Sequence, residues 1–330
     1  MRVLFLIQGW KVAASRYRVL QYIPYLEEKG MEVEVKTFPR TLSENWAFFW
    51  SLPRYDVVFV QRKRLTGFRL RLFKRRARRI VYDFDDSVMY RNSTARSPVS
   101  RTRMARFARM LEACDGIIAG NEYLKREALK HNSRVEVIPS PIDIERYGIK
   151  SYDSGGTEVV LGWIGDHGSI HYLEKMRPIF DILAKKYPYL SLKIVCDNFF
   201  DCEEMKVIKK EWRHEDEVRD LQSFDIGLMP LMDDPWSWGK CGLKIVQYQG
   251  VGIPVVCTPV GINRDLVTDG ENGFWASDQE EWIEKLSILV EDAGLRERMG
   301  RAGREKVERG YTAQDCGIKL GQFLENLVSA

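Results

Sequence analysis

The stretch Trp238-Gly-Lys-Cys-Gly-Leu-Lys-Ile-Val-Gln-Tyr-Gln-Gly-Val-Gly-Ile-Pro-Val-Val-Cys257 predicts, in order, a loop, a short helix and a buried strand. Glycines lie where the predicted helix begins, at 239 and 242, and where it ends, at 250 and 252. Glycine is the usual residue just past the end of a helix. The β-branched apolar run that follows Pro254 is typical of a buried strand.

Lys240 and Lys244 fall at the predicted start of this helix. The helix dipole is already positive there, so two cations cost stability unless an anion lies between them. Backbone N–H groups at a helix start, here opened by Gly242 and followed by Leu243, form a natural phosphate site. We therefore expect these residues to bind a diphosphate. The alternative is a solvated lysine pair beside a tight turn.

Length and composition are typical of a globular protein with two domains. The chain has 330 residues, of which 45% are hydrophobic and 30% are charged. No apolar run reaches the roughly 20 residues that span a bilayer. The first residues predict a strand rather than a signal peptide. The six cysteines lack metal-binding spacing, which favours reduced thiols in a cytoplasmic protein.

Charge is distributed unevenly along the chain. Residues 1–150 contain 30 Lys and Arg against 16 Asp and Glu, a net charge of +14, and the remainder carries −10. Two basic amphipathic stretches, Lys63–Arg79 and Arg101–Arg109, account for much of this excess. They are either ordinary helices with solvated outer faces or a docking surface for an anionic membrane. Nucleic acid is less favoured because no zinc finger, RNP or KH pattern accompanies the charge.

The N-terminal part opens as a β-α-β unit. Val3–Ile7 predicts a buried strand, Ser15 is a candidate N-cap for the helix that follows, and Glu32–Val35 alternates as a half-buried strand. This order is typical of a doubly wound α/β fold. Gly9 and Arg16 then lie at the carboxyl end of the first strand, where such folds bind ligands.

Three carboxylates, which we call the acidic cluster (Asp83, Asp85 and Asp86), follow the predicted strand Ile80–Tyr82. Crowded carboxylates are costly without a cationic or hydroxyl-rich partner. They could ligate Mg²⁺ or Mn²⁺ as a DxD motif, or one Asp could bind substrate hydroxyls without metal. Alternatively, Asp86 caps a helix.

The second half repeats the pattern. After a predicted linker made of residues 139–141 and 148–156, Val159–Ile164 forms a buried strand, and a turn beginning at Gly165 leads into a helix whose start again suits phosphate. His167 in this turn is a candidate ligand residue. The acidic run Glu215–Glu217 predicts a solvated helix start.

Two α/β halves with a closing helix resemble the GT-B fold, and the specific resemblance is to glycosyltransferase family 4 (the "group 1" proteins). It covers nearly the whole chain and is strongest from 159 to 311. The segments that carry it are Arg16–Arg18, Asp83–Asp86, Ala119–Glu122, Ile138–Asp143, Gly162–Gly165, Phe224–Leu231, Gly239–Val256 and Asp269–Phe274. The fold it implies is two Rossmann-like, doubly wound domains facing each other across a cleft. We expect an acceptor domain at 1–148, a donor domain at 149–311, and a terminal helix at about 312–330 that packs back on the first.

This chain departs from the family at one motif. The Glu-x7-Glu pair common in the family is replaced by Gly239 and Gln247, and the resemblance implies that Gln247 binds the ribose through its amide oxygen. The basic residues that the family places after the first strand of the second domain are also missing, which favours Lys240 and Lys244 as the phosphate ligands. A family histidine aligns roughly with Asp85, the candidate catalytic residue.

The resemblance implies transfer of a sugar from a UDP- or GDP-linked donor to an acceptor, with retention of configuration and without a metal cofactor. The donor diphosphate would bind Lys240, Lys244, Gly165, Gly242 and Leu243, and the base would bind Trp212 and Arg213. The sugar or acceptor would contact Gly9, Arg16, Asp86 and His167. A lipid-linked or glycan acceptor and an anionic membrane are the expected partners, and nucleic acid is not. These features favour a cytoplasmic protein and leave open a peripheral position on the inner face of the membrane. The alternative is a non-catalytic nucleotide-sugar or glycan-binding protein.

Overall fold

The computed structural model describes residues 1–39, 41–152 and 158–329. These divide into two compact units. The first unit comprises Met1–Pro141, Asp234–Cys241 and Thr312–Ala330, and the second comprises Ile142–Asp233 and Gly242–Tyr311. The division follows Pro141, in the first part of the predicted linker and seven residues before the expected domain boundary at 148. A short segment from the middle of the chain belongs to the first unit. Residues 153–156 of the predicted linker lie outside the described residues.

A parallel sheet of six strands forms the centre of the first unit, in the order β2-β1-β3-β4-β5-β6. Its strands are β1 (Arg2–Ile7), β2 (Glu32–Thr37), β3 (Val57–Gln61), β4 (Ile80–Phe84), β5 (Gly116–Ala119) and β6 (Val135–Val137). The order reverses between β1 and β3, and in open α/β sheets the carboxyl ends of the strands at such a reversal are the usual ligand position.

The second unit contains another six-stranded parallel sheet, in the order β12-β11-β10-β7-β8-β9. Its strands are β7 (Val159–Ile164), β8 (Leu190–Cys196), β9 (Lys206–Glu211), β10 (Ile226–Met229), β11 (Val255–Cys257) and β12 (Gly273–Trp275). This is the strand order of the dinucleotide-binding fold, and it reverses between β7 and β10. The prediction of doubly wound α/β architecture in both halves is confirmed.

The helices are α1 (Ala13–Arg18), α2 (Ile23–Glu28), α3 (Leu42–Ser51), α4 (Gly67–Arg76), α5 (Arg101–Ala113), α6 (Glu122–Leu129), α7 (Ile170–Glu174), α8 (Arg177–Lys186), α9 (Glu217–Gln222), α10 (Pro235–Trp238), α11 (Leu243–Gly250), α12 (Asn263–Leu266), α13 (Gln279–Glu291), α14 (Ala293–Glu308) and α15 (Ala313–Ser329). Short 3₁₀ turns cover Leu20–Tyr22 and Leu52–Arg54. Within the described ranges, no helix is both long enough and apolar enough to cross a membrane.

Alternation along β1 shows how the first sheet is covered on both faces. Leu4 and Leu6 belong to one hydrophobic core, together with side chains of α3, α4 and α5. Phe5 belongs to the other, which includes Leu320 and Leu324 of α15. Successive residues of a strand point to opposite faces, so apolar residues throughout β1 are expected for a sheet between two helical layers.

One predicted cap is wrong. Ser15 lies inside α1, which is preceded by Val12 at the N-cap position. The Ser15 hydroxyl donates instead to the side-chain oxygen of Gln61 at 2.8 Å, and Gln61 also accepts from the backbone N–H of Gln8 at 3.2 Å. Gln61, at the end of β3, is therefore bonded both to α1 through Ser15 and to Gln8 after β1, and Ser15 does not start the helix.

Candidate functional site

In the second unit, the connection that leaves β7 is shaped by a close packing contact. A Cβ on Gly165 would lie 2.3 Å from the Trp163 ring and 3.0 Å from the side-chain carbon Cε of Lys244. Glycine is therefore required for the Trp163 ring and the Lys244 side chain to reach this position. The predicted site residues Gly165 and Lys244 are thus in contact, beside the reversal of strand order.

The start of α11 forms the other side of this contact. Gly242 is the N-cap residue and has a φ of +65°, a left-handed conformation that favours glycine. Lys244 lies in the first turn, which contains no acidic residue. Its ammonium is 3.3 Å from the Ser169 hydroxyl and 4.8 Å from the centre of the Trp163 ring. A cation, a hydroxyl and a helix start that exposes the Leu243 amide therefore meet at one edge of the sheet.

Lys240 lies elsewhere, and the prediction that both lysines start one helix is wrong. It belongs to the first unit, in the loop between α10 and the N-cap of α11. Its ammonium lies 3.1 Å from a carboxylate oxygen of Asp86 and 5.0 Å from the centre of the Trp236 ring. Gly242, in the left-handed conformation, is the N-cap, so the first helical residue, Leu243, lies three positions after Lys240. The role of Lys240 in binding phosphate stays a prediction.

The predicted ribose and base residues are joined by Tyr147, which the sequence did not single out, and by Glu217, which it placed in a solvated acidic run. The Gln247 amide donates to the Tyr147 hydroxyl at 3.0 Å, and that hydroxyl donates to a Glu217 carboxylate oxygen at 3.1 Å. The Trp212 indole N–H donates to the other Glu217 oxygen at 3.1 Å. We call these four residues the Tyr147 network. Because Glu217 is buried, the expected solvated helix start is wrong for this residue, whereas Arg213 is exposed.

His167 is exposed in the turn after β7 and binds Asp197. The Asp197 carboxylate accepts from the His167 backbone N–H at 2.7 Å and lies 2.6 Å from the ring nitrogen Nδ1. This hydrogen bond and the carboxylate charge raise the pKa of His167 above 6.5. His167 is therefore held in place by a partner on the neighbouring strand's connection, and its predicted sugar or acceptor contact stays a prediction.

In the first unit, Asp83 of the acidic cluster forms a buried ion pair with Arg18 of α1. The Arg18 nitrogen Nε lies 3.0 and 3.1 Å from the two carboxylate oxygens, and both side chains are almost fully buried. A second guanidinium nitrogen donates to the Ile138 carbonyl at 2.8 Å. This pair fastens α1 to β4. The predicted residues Gly9 and Arg16 lie in the same β1–α1 region, where Arg16 is partly exposed and packs over the Tyr17 ring.

Arg62 binds the other two carboxylates of the acidic cluster. It follows β3 with a φ of +54°, and its backbone N–H donates to the Asp83 carbonyl at 2.7 Å. Its Nε lies 3.0 Å from Asp85, and a terminal guanidinium nitrogen contacts Asp86. Asp86 is thus shared by Arg62 and Lys240. Positive φ is uncommon outside glycine, so this geometry is held by the surrounding ion pairs.

The structure corrects one interpretation of the acidic cluster. Asp86 does not cap a helix: turns follow it, and the next helix, α5, is capped by Ser100. Throughout the described residues, no group of three His, Cys, Asp or Glu side chains is arranged to hold a metal ion. The carboxylates bind Arg18, Arg62 and Lys240 instead. The expected absence of a metal cofactor stays a prediction.

The backbone of Asp85 is held by the segment inserted from the middle of the chain. The Cys241 thiol donates to the Asp85 carbonyl at 3.0 Å. A Cβ on Gly120 would lie 2.2 Å from the Cys241 sulfur and 3.1 Å from the Asp85 Cα. Burial raises the pKa of Cys241, so the thiol stays protonated and acts as a donor. Asp85 is consequently a fixed residue at the end of β4, and its catalytic role stays a prediction.

Comparison with protein families gives a match in each unit. Residues 12–146 match the model described as Glycosyltransferase Family 4, and residues 206–306 match Glycosyl transferases group 1. The chain is a GT-B protein like the family 4, or group 1, glycosyltransferases. Most of the first match lies in the unit that contains the acidic cluster, and the second includes α11 with Lys244.

Solved structures show the same GT-B fold. HepE from Anabaena, in complex with UDP and glucose, has a TM-score of 0.74 at 17% identity, covering 98% of this chain and 99% of that one. Sucrose-phosphate synthase from Thermosynechococcus elongatus has a TM-score of 0.74 at 15% identity, covering 99% of each chain. The predicted GT-B fold is therefore confirmed, and the two family-model matches bear out the resemblance to the family 4 glycosyltransferases.

Two curated relatives match over shorter segments. The capsular polysaccharide biosynthesis glycosyltransferase CapM of Staphylococcus aureus is 35% identical over 71 residues, or 21% of this chain and 19% of CapM. The D-inositol 3-phosphate glycosyltransferase of Paenarthrobacter aurescens is 28% identical over 107 residues, or 32% of this chain and 25% of the relative. The match thus spans a quarter or less of each relative's length.

Proposed function

We propose that this GT-B protein transfers a sugar from a nucleoside diphosphate sugar to an acceptor, with retention of configuration and without a metal ion. The observation that carries the proposal is the contact of Lys244, Ser169 and Gly165 at the start of α11. HepE, whose structure contains UDP, supports UDP as the nucleotide. GDP is the second choice.

The second unit supplies the stabilisation that the leaving group needs. When the bond between the sugar and the diphosphate breaks, its electron pair stays on the phosphate oxygen. The Lys244 ammonium and the amide groups at the start of α11, beginning with Leu243, then stabilise that charge. The acceptor hydroxyl forms the new bond to the same carbon on the same face. Its proton passes to the departing phosphate, so this route requires no protein base.

The nucleoside is assigned to the Tyr147 network. We place the ribose at Gln247, where the amide oxygen can accept a hydroxyl hydrogen, and the base beside Trp212 and Arg213. Glu217 fixes the indole N–H of Trp212 and the hydroxyl of Tyr147 at once, at 3.1 Å each. Such a network holds its members in one orientation, and a preformed pocket loses less entropy on binding.

The sugar and acceptor are assigned to the predicted residues of both units. Asp85 is proposed to accept hydrogen bonds from the sugar and to stabilise positive charge that develops on it. Arg62 lies 3.0 Å from this carboxylate and reduces its charge, so hydrogen bonding is the larger part of that role. Gly9, Arg16, Asp86 and His167 complete the proposed set, and Lys240 is retained as a candidate diphosphate ligand.

A membrane-associated lipid or glycan is the proposed acceptor, reached from the cytoplasmic side. Trp46, Trp50 and Phe68 are large apolar side chains of α3 and α4 that are 64%, 64% and 74% exposed. The Arg76 guanidinium lies 4.1 Å from the centre of the Trp50 ring. Exposed aromatic residues among basic side chains are typical of surfaces that bind anionic bilayers. Sedimentation with phosphatidylglycerol vesicles should fall for Trp50→Ser and Phe68→Ser. Unchanged sedimentation of both variants would refute the membrane proposal.

The test of the whole proposal is a donor screen followed by turnover. UDP-, GDP-, ADP- and TDP-sugars are added in EDTA, and the midpoint of thermal unfolding is measured, because a ligand of the folded state raises it. We expect a UDP-sugar to give the largest rise. Release of UDP in EDTA, with a product of unchanged anomeric configuration by NMR, supports the proposal. A raised midpoint with no transfer or hydrolysis would support a non-catalytic nucleotide-sugar or glycan-binding protein, in line with the loss of the Glu-x7-Glu carboxylates.

A further inference from the structure

The first unit contains a basic cavity at the reversal of its strand order. It has a volume of about 480 Å³ and is lined by the residues that end β1, β2 and β3 together with one residue of α5. Its cations are Arg62, Lys63, Arg64 and Arg106, and its apolar surface includes Ile7 and Phe38. We call it the basic pocket. Its volume falls in the range of pockets that hold small ligands.

The basic pocket carries more positive charge than its surroundings neutralise. Arg62 is paired with the acidic cluster. Among the described residues, no Asp or Glu lies within 4.0 Å of the charged groups of Lys63, Arg64 or Arg106. The Lys63 ammonium lies instead 4.3 Å from the centre of the Phe38 ring, and Arg64 donates to the backbone carbonyl of residue 88.

Burial and crowding act on these cations in the same direction. Burial, with the charge of Arg69, lowers the pKa of Lys63. Burial, with the charges of Arg103 and Arg106, lowers the pKa of Arg64. Like charges held together in a partly buried site destabilise one another, and an anion that binds among them removes that cost. Relief of the repulsion among these cations therefore favours the binding of an anion in the basic pocket.

We propose that the basic pocket binds a phosphate group carried by the acceptor, an assignment that rests on the proposed transfer reaction. A phosphate presents several oxygens and up to two negative charges, which suits the fork of Arg106 and the point charge of Lys63. The half-buried Phe38 ring, which lines the basic pocket, offers apolar surface for a sugar ring or another apolar part of the acceptor. The donor is assigned to the second unit, so the two anions have separate sites. The phosphate can belong to a soluble sugar phosphate or to a lipid headgroup.

Matched double variants test this site in the full-length protein saturated with UDP. Lys63→Ala with Arg106→Ala removes two cations of the basic pocket. Lys29→Ala with Arg109→Ala removes two exposed cations of the same unit that do not line it. Inorganic phosphate and glucose 1-phosphate are titrated by calorimetry at constant ionic strength. Vesicles of phosphatidylcholine with and without phosphatidic acid form the lipid arm.

We expect the pocket variant to bind the phosphate probe at least about tenfold more weakly than the unchanged protein. In the control variant, the affinity for the phosphate probe should change by less than about twofold. Weaker binding by the pocket variant in the soluble titration identifies a free phosphate as the ligand. Weaker binding confined to phosphatidic acid vesicles identifies a lipid headgroup. Equal losses of affinity for the phosphate probe in the pocket and control variants would overturn the inference. Absence of phosphate binding by the unchanged protein in both the soluble and the vesicle experiments would also overturn it. A separate UDP titration distinguishes the two proposals. Absence of UDP binding by the unchanged protein contradicts the donor site alone. Weaker UDP binding by the pocket variant would show that the basic pocket belongs to the donor site and would overturn the inference of a separate acceptor-phosphate site.

Discussion

Lys244→Ala compared with Lys240→Ala separates the two lysines that the sequence grouped together. Lys244 lies in the first turn of α11, 3.3 Å from the Ser169 hydroxyl, where the helix dipole adds to its charge. Lys240 lies 3.1 Å from Asp86, with its side chain 24% exposed, so a carboxylate already compensates its charge. The two substitutions remove the same side chain from different electrostatic environments.

The expected effects differ in kind. Removing one donor that stabilises a developing anion costs about 10²–10³ in kcat, or about 2.7–4 kcal/mol. We therefore expect Lys244→Ala to lower turnover of the UDP-sugar by that amount and to weaken UDP binding. In Lys240→Ala, Asp86 keeps its contact with Arg62. We expect a loss of about 1 kcal/mol in the free energy of unfolding and a smaller loss of UDP affinity.

Calorimetric titration with UDP, single-turnover kinetics and urea unfolding measure these quantities on the same samples. Lys175→Ala is the control for loss of one positive charge, since this exposed lysine belongs to the second unit and lies outside the first turn of α11. Equal losses of UDP affinity in Lys240→Ala and Lys244→Ala would show that both lysines hold the diphosphate. A Lys244→Ala variant with normal turnover would refute the assignment of the leaving-group site.

Three smaller predictions test the packing around the site. Gly242→Ala should lower the free energy of urea unfolding by about 2–5 kcal/mol, because its Cβ would lie 2.2 Å from a Leu266 methyl and the residue has a positive φ. Gly270→Ala, with a φ of +79° and open space around the Cβ, should lower it by only about 1–2 kcal/mol. Equal losses in the two variants would contradict the steric clash at Gly242. Tyr147→Phe removes the hydroxyl that joins its network and should lower stability by about 1–3 kcal/mol and weaken UDP binding, whereas unchanged UDP affinity would separate the network from the nucleoside. Because Asp197 raises the pKa of His167, the pair stabilises the fold below about pH 6.5, and this stabilisation is lost as the pH rises through the raised pKa. NMR titration of Asp197→Asn should show a lower pKa for His167. An unchanged pKa would refute the pairing.

Local patterns predicted the parts of this protein that depend on neighbouring residues. Apolar runs located most buried strands, and the glycines around α11 placed Lys244 at a helix start. The edge strand β9 was missed because Lys206–Glu211 is rich in charge. Edge strands tolerate charged side chains, since one side of the strand is not covered by the sheet. Hydrophobic pattern alone therefore identifies central strands better than edge strands.

The pairs that build the candidate site could not be read from neighbouring residues. Arg18 and Asp83 are 65 positions apart, and Tyr147 and Glu217 are 70 apart. A buried guanidinium requires a carboxylate partner, but the burial of Arg18 is visible only in the structure. Nothing in the local sequence indicated that Lys240 would pair with Asp86, because that contact depends on the insertion of 234–241 into the first unit.

The acidic cluster determines where the excess positive charge of the first unit acts. Its three carboxylates face three cations, Arg18, Arg62 and Lys240, so this assembly is close to neutral. Carboxylates held this way have little charge left to attract another cation. Only one of those cations, Arg62, also lines the basic pocket, so the remaining cations of that pocket lie beside a neutral assembly rather than an acidic one. We therefore expect the edge of the first sheet to attract anions, although its sequence carries three aspartates in four residues.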